Sequence, residues 1–237
     1  SWLAAAVNPD LLVVDCATNG RGHPTVHMGG MGLAGRKDVR VLQAAAGGVD
    51  EEEGHFEIVA RGPLGAIASV LHHASSEAGG SLAACRGPFS VAFCREAAAV
   101  GAVGACIRLG EAMLAAEGRG AAAVIDAIVS TLGGRELGRG RLAQHRLERK
   151  GNWAVGRLVV DGGGAPLEVD VCNEYMVVDR DGERLATFPD LIVTLSPRDG
   201  MPSAAARMGV GEEVIVVAVP KSKIALGAGV SDASVYG

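Results

Sequence analysis

The feature that most constrains this chain is a change of hydrophobic rhythm at Gly133-Gly134. Upstream, Ile125, Ile128, Val129 and Leu132 recur at helical spacing in the run from Ala121 to Leu132, and the glycine pair stops it. Downstream come short β-type runs: Trp153 to Val160, Leu167 to Val178, Glu183 to Phe188, Leu191 to Leu195 and Val214 to Val219. Asp179-Arg180-Asp181-Gly182 between two of them carries the glycine-terminated chemistry of a hairpin turn. The two regimes predict an α/β class: an α/β domain with a mixed sheet over 1–134, then a smaller β-rich domain over 135–237 whose last residues return to the first. Aromatic residues make up 3% of a sequence that is 49% hydrophobic, so Ala, Val, Leu and Ile must build both cores.

The upstream half reads as alternating elements. A helix end breaks at Asn8-Pro9-Asp10, before the aliphatic run Leu11-Leu12-Val13-Val14, which has the character of a buried strand. A chain that opens on a helix end with no strand before it is expected to begin mid-fold, its amino-terminal part missing or supplied by another chain. Val39 to Ala46 and His55 to Ala60 read as strands around the acidic turn Asp50-Glu51-Glu52-Glu53. Pro63 opens a helix through Ser76 that Gly79-Gly80 ends, and Leu82 to Cys85 is a short buried strand. Helical regions then start at Pro88, Gly101 and Ala121.

Several functions are disfavoured. With a net charge of -5 and no stripe of Lys or Arg, the chain lacks an electrostatic footprint for nucleic acid. Five cysteines in no CxxC spacing suggest neither a disulfide framework nor a zinc ribbon, so a reducing cytoplasm fits. No apolar stretch reaches the length of a membrane span, and the start lacks the basic flank of a signal peptide. Gly162-Gly163-Gly164 stands between strand runs without a following helix, which reads as a turn and not a nucleotide-binding loop; no nucleotide cofactor is expected.

Reactive groups concentrate between Asp15 and Gly30. Asp15, at a strand end, is suited to hold a water or a metal, or to cap its own loop through backbone N–H groups. His23 and His27 are four residues apart, a spacing that on a helix suits zinc, although Pro24 and the glycines oppose a helix. Two expectations therefore stand side by side: a divalent metal such as zinc on Asp15, His23 and His27, or imidazoles that hydrogen-bond the loop or the substrate. Arg21 offers a planar fork to an anionic substrate group or to a structural acid, and Asn19 is placed to orient substrate. Cys16 reads as packing, without a base at a recognised spacing to make it a nucleophile. In the second half, Asn173-Glu174 lies inside the Leu167 to Val178 run, where neighbours face opposite ways. Glu174 is the expected pairing partner or general base, and Asn173 a backbone-bonding and substrate-side residue. His72-His73 reads as a surface pair, Trp153 as a hairpin anchor, and Ser1 as a poor amino-terminal nucleophile because no strand follows it.

Taken with Val169-Asp170-Val171-Cys172-Asn173-Glu174-Tyr175-Met176, the polar segment resembles the S-methyl-thiohydantoin desulfurase family, over its carboxyl-terminal two thirds. The resemblance rests on Asp15, Asn19-Gly20-Arg21, His23-Pro24 and Met28-Gly29, then on Asn173-Glu174, Asp181-Gly182, Leu185-Ala186-Thr187 and Pro189-Asp190-Leu191-Ile192. It implies hydrolysis of a small cyclic amide or thioamide, of hydantoin or thiohydantoin type, as in the related hydantoinase and oxoprolinase proteins. In that reading Asp15, His23 and Glu174 do the chemistry in an interdomain cleft, while Asn19, Arg21 and Asn173 bind substrate. The family's glycine-rich amino-terminal region is absent here. A homo-oligomer, or a complex with a chain supplying that region, is therefore expected. The alternative is a non-catalytic, partner-dependent subunit of a hydantoinase-like complex, which an exposed apolar surface near Trp2, Leu3 and Val7 would favour.

Overall fold

The computed structural model describes residues 6–48, 54–79, 82–150 and 153–235. Ser1, Trp2, Leu3, the acidic turn at 50–53 and Gly80 lie outside the described residues. About one third of the chain is helix and one third strand.

The first half begins with a two-residue strand, β1 (Cys16–Ala17), paired antiparallel with β5 (Ala99–Val100). Between them, β2 (Val41–Gly47) is the centre of a three-stranded sheet flanked by β3 (Phe56–Gly62) and β4 (Ala83–Gly87), again antiparallel. Helix α1 (Leu64–Glu77) lays Leu64, Ile67 and Leu71 on one face of that sheet, against Val41 and Ala45. The other face stays open, with Leu42 and Val59 exposed. Ser90 caps α2 (Val91–Ala97), its hydroxyl accepting from Phe93 N at 3.2 Å. Helices α3 (Ala102–Glu117) and α4 (Ala121–Leu132) follow as an antiparallel pair.

From there the chain is almost wholly strand: β6 (Arg135–Lys150), β7 (Trp153–Asp161), β8 (Leu167–Cys172), β9 (Glu174–Arg180), β10 (Glu183–Thr187), β11 (Leu191–Leu195), β12 (Pro202–Ser203) and β13 (Glu213–Val219). They form one antiparallel sheet in the order β10-β9-β8-β7-β6-β13-β11-β12. Strand β8 shows the pleat in its sequence: Leu167, Val169 and Val171 are buried while Glu168, Asp170 and Cys172 are half-exposed. The buried set joins Leu142, Leu158, Val160 and Val178 in the largest core. The sheet curls so that β9 faces β6 and β11: the Tyr175 and Thr194 hydroxyls are bonded at 2.7 Å, and Arg180 Nη2 donates to Leu137 O at 2.6 Å. After its exposed first residue, Glu213, strand β13 is apolar and buried on both sides: Val214, Val216 and Ala218 face the curl, while Ile215 and Val217 meet Val124, Ile125 and Ile128 of α4. Asp181 and Gly182, both at positive φ, make the hairpin between β9 and β10 that the sequence announces. A helical turn, α5 (Ala228–Ser231), lies next to the Asp15–Gly30 segment and is followed by a 3-10 turn at Ala233–Val235; Gly227 N donates to Asn19 O at 3.0 Å.

Four sequence expectations change. The strand expected to be buried at Leu82–Cys85 is β4 (Ala83–Gly87), whose Ala83, Ala84 and Cys85 are exposed on the open face of the sheet or its edge. The first-half sheet is not mixed, for every strand pair among the described residues is antiparallel. Leu11–Val14 is not a buried strand: no described strand pairs with it, and Leu12 and Val14 are 90% and 63% exposed. The Leu167–Val178 run is two strands, broken at Asn173, whose φ of 58° turns the chain back on itself. Asparagine tolerates that left-handed backbone better than most residues with a side chain.

Candidate functional site

The Asp15–Gly30 segment folds as a loop held by its own polar side chains. Asn19 Oδ1 accepts from Gly30 N at 2.8 Å, which fixes the amide's orientation and turns its Nδ2 toward His23 Nε2, also at 2.8 Å. The other imidazole nitrogen, Nδ1, lies 2.7 Å from Thr25 O. A carbonyl only accepts, so Nδ1 carries the proton and Nε2 presents its lone pair to Asn19. Thr25 closes the arrangement by capping the turn Val26–Met28, its Oγ1 accepting from Met28 N at 3.3 Å. Gly29 makes it sterically feasible: a Cβ there would collide with the His23 ring.

Asn19 and His23 line a cavity of about 380 Å³ together with Cys16, Gln43, Arg86 and Cys94. The opposite wall is built by sheet register. Gln43 of β2 sits across from Arg86 of β4, and Arg86 Nε donates to the buried Gln43 Oε1 at 2.8 Å. This uses one of the five guanidinium donors. No described carboxylate pairs with Arg86, and burial pulls its pKa below the usual arginine value. A half-buried cation with unspent donors facing a cavity is poised for an oxyanion, carbonyl or thiocarbonyl. Burial, then the neighbouring Cys94 and Asp15, pushes the Cys16 thiol up, which keeps it protonated near neutral pH.

The remaining sequence candidates lie around this cavity and not in it. Asp15 grips the first turn of α3: its carbonyl accepts from Gly101 N at 2.9 Å and its carboxylate from Gly104 N at 3.0 Å. Arg21 is buried, with its guanidinium 4.5 Å above the Phe188 ring. It donates to Asp190 O, and its Nη2 is 3.9 Å from Glu174. Glu174 packs on the loop backbone where a Cβ at Gly22 would stand. Asn173 ties three pieces: its Oδ1 accepts from Ala154 N at 2.8 Å, its backbone N–H donates to Ala154 O at 2.8 Å, and its Nδ2 donates to Pro24 O at 3.4 Å. His27 is exposed on the far side of the loop, beside Gly65 of α1. Asp15 is thus spent on Gly104 N and His23 on Thr25 O, while His27 is exposed, and no three His, Cys, Asp or Glu among the described residues are grouped so as to hold a metal ion. His72 and His73 are exposed on α1.

The cavity lining comes wholly from residues 16–98, so it lies within the first half and not between the halves. Sequence reading missed Gln43, Arg86 and Cys94. The signal was present for the first two, since each is a lone polar residue in an otherwise apolar strand, and only the β2–β4 register reveals that they meet. Among the described residues no helix is long and apolar enough to cross a membrane.

Comparison with known proteins agrees with this fold. The family model described as "S-Me-THD-like, C-terminal domain" matches residues 66–226, well over half of the chain. A crystal structure of a protein from Chromobacterium violaceum superposes with a TM-score of 0.60 at 21% sequence identity, covering 91% of this chain. The chain spans 60% of the length of that structure. No curated protein matches.

Proposed function

The chain belongs to the S-Me-THD-like family, and from that membership we propose that it acts in the hydrolysis of a small cyclic amide or thioamide of hydantoin or thiohydantoin type. One observation carries the reading: two fixed polar pairs, Asn19–His23 and Gln43–Arg86, face a single cavity of about 380 Å³. A five-membered ring fits such a volume.

Hydrolysis at a ring carbon needs an activated water and donors for the negative charge that builds on the ring oxygen or sulfur. Arg86 supplies donors from the guanidinium nitrogens that Gln43 leaves unused, and Asn19 has a second amide N–H beyond the one given to His23. When the substrate draws the Asn19 amide toward itself, the Nε2 lone pair of His23 is released to take a proton from the attacking water, with Nδ1–H still anchored on Thr25 O. His23 then hands that proton to the ring nitrogen or the sulfur that leaves as its bond to the ring carbon breaks. Glu174 and Arg21 act from outside the cavity, holding the loop backbone, and Asn173 ties that loop to the sheet. The reading routes no step through a metal ion. Mass-spectrometric turnover of a hydantoin, thiohydantoin and S-methyl-thiohydantoin panel tests it. Loss of about 100-fold or more in kcat/KM is expected for His23→Ala and for Arg86→Met. Turnover undiminished in both variants would remove this cavity as the active site.

A second reading, a partner-dependent subunit, is favoured by Leu11–Val14, an exposed apolar stretch running straight into the site loop. A second copy or a chain supplying further family sequence would cover it. Native mass of the purified chain with the same turnover screen separates the two readings: activity of the isolated monomer excludes the subunit, and a stable complex with activity only in complex excludes independent action.

A further inference from the structure

Away from the proposed active site, the curled sheet holds a cavity of about 250 Å³ at its open end, lined by Arg139, Val160, Gly162, Gly164, Leu167 and Arg180. It shares no residue with the Asn19–Arg86 cavity. Arg180 reaches it from β9 across the curl, passing over Gly138, where a Cβ would stand 2.7 Å from Arg180 Nη2. That nitrogen donates to Leu137 O at 2.6 Å, but Nε is buried and has no hydrogen-bond partner. The other terminal nitrogen, Nη1, has no described acceptor and, unlike Nε, is not sealed off, so its hydrogens are the ones left to a ligand.

The charges around it leave Arg180 as the uncompensated one. Arg139, at the rim, is bonded twice to Glu136, at 2.8 and 2.5 Å. Asp161 turns back on the glycine loop and accepts from Gly163 N at 2.8 Å. Arg141 pairs with Glu213 at 3.4 Å in an adjoining cavity of about 420 Å³ that shares Arg139 and Gly162. No described carboxylate pairs with Arg180. The lip is Gly162-Gly163-Gly164, whose backbone can approach a ligand without side-chain hindrance.

We propose that this cavity is a second ligand site that binds a small oxyanion, the carboxylate of an organic acid or free phosphate, against Arg180 under the Gly162–Gly164 lip. The oxyanion accepts from Arg180 Nη1, the apolar walls at Val160 and Leu167 exclude water around it, and the lip donates the backbone N–H groups of Gly162 and Gly164.

Amide NMR shifts of the full chain test this under titration with inorganic phosphate, and separately with acetate and succinate. The expected result is a saturable shift at Gly162 and Gly164 with at least one of the two anion classes, and the arm that saturates identifies the class. Arg180→Met should weaken the affinity about tenfold or more. Gly164→Asp puts a carboxylate at the lip; its Cβ would meet nothing within 4 Å and its φ is not positive, so the fold tolerates it. It should abolish the shifts with Arg180 untouched, and it decides the matter if Arg180→Met does not fold. No saturation with either class, or binding that survives Gly164→Asp unchanged, overturns the proposal.

Discussion

The curled sheet and the loop region are stabilised by different means. In the sheet, Leu142, Leu158, Val169, Val178 and Val216 are fully buried in one core, and five of the seven strand pairs join strands consecutive in sequence. The loop region has a three-stranded sheet with one open face and a 13-residue stretch from Thr18 to Gly30 with little regular structure, held by Asn19, His23, Thr25 and close backbone approaches. If the loop region is the active site, as proposed, stability and chemistry are separable here. Apolar area spread over many side chains dominates the first region; a few directional bonds set the geometry of the second.

Leu158→Ala probes that separation most strongly. Removing a fully buried side chain from the sheet core is expected to cost about 2–5 kcal/mol in chemical denaturation. Turnover by the folded fraction should stay unchanged; a parallel loss of activity would show that the two regions are not separable. Gly29→Ala attacks the other region. The His23 ring must move to admit the methyl group, with an expected fall of about 100-fold in kcat/KM and a stability cost of about 1–3 kcal/mol.

Asn173→Gly tests the tie between the regions. Glycine keeps the left-handed backbone, so the loss comes from the bonds to Ala154 N and Pro24 O, about 1–2 kcal/mol in total. Asn173→Ala should cost more, because it adds backbone strain at φ 58°. Tyr175→Phe has the smallest effect near neutral pH, about 0.5–1.5 kcal/mol for the bond to Thr194. Its signature is in alkali. Burial raises the Tyr175 pKa above the unfolded value near 10, with the bond to Thr194 opposing and Glu174 adding to the rise. The stability this group contributes is therefore complete below about pH 10 and is lost as pH rises through the folded pKa. Denaturation across pH 9 to 11.5 should show a steeper decline for the parent than for the variant; equal slopes would mean that Tyr175 is not the buried titrating group.

Much of the element map was legible because local pattern and tertiary structure agree. The helix from Ala121 to Leu132 and the strand from Leu191 to Leu195 begin and end where periodicity places them, and Pro63 stands immediately before α1. The longest strand was not legible. Arg135–Lys150 has sixteen residues, mostly charged or small, and only pairing with β7 and β13 makes it a strand. The Leu11–Val14 run failed in the opposite sense, since an aliphatic pattern indicates suitability for burial but not that a partner surface exists.

The candidate site divides in the same way. Sequence alone located the loop at Asp15–Gly30, recognised the family resemblance, and marked Asn19, His23, Arg21 and Glu174 as residues with work to do, because residue type and glycine content are local properties. Which of them face the cavity was decided only in three dimensions. Arg21 and Glu174 are consumed in holding the loop, Asp15 in starting α3, and Arg86, unremarkable in a short strand, becomes the cavity's cation through its register with Gln43. The physical reason is that a side chain's chemistry belongs to the residue, while its availability depends on which hydrogen-bond partners the rest of the fold has already placed beside it.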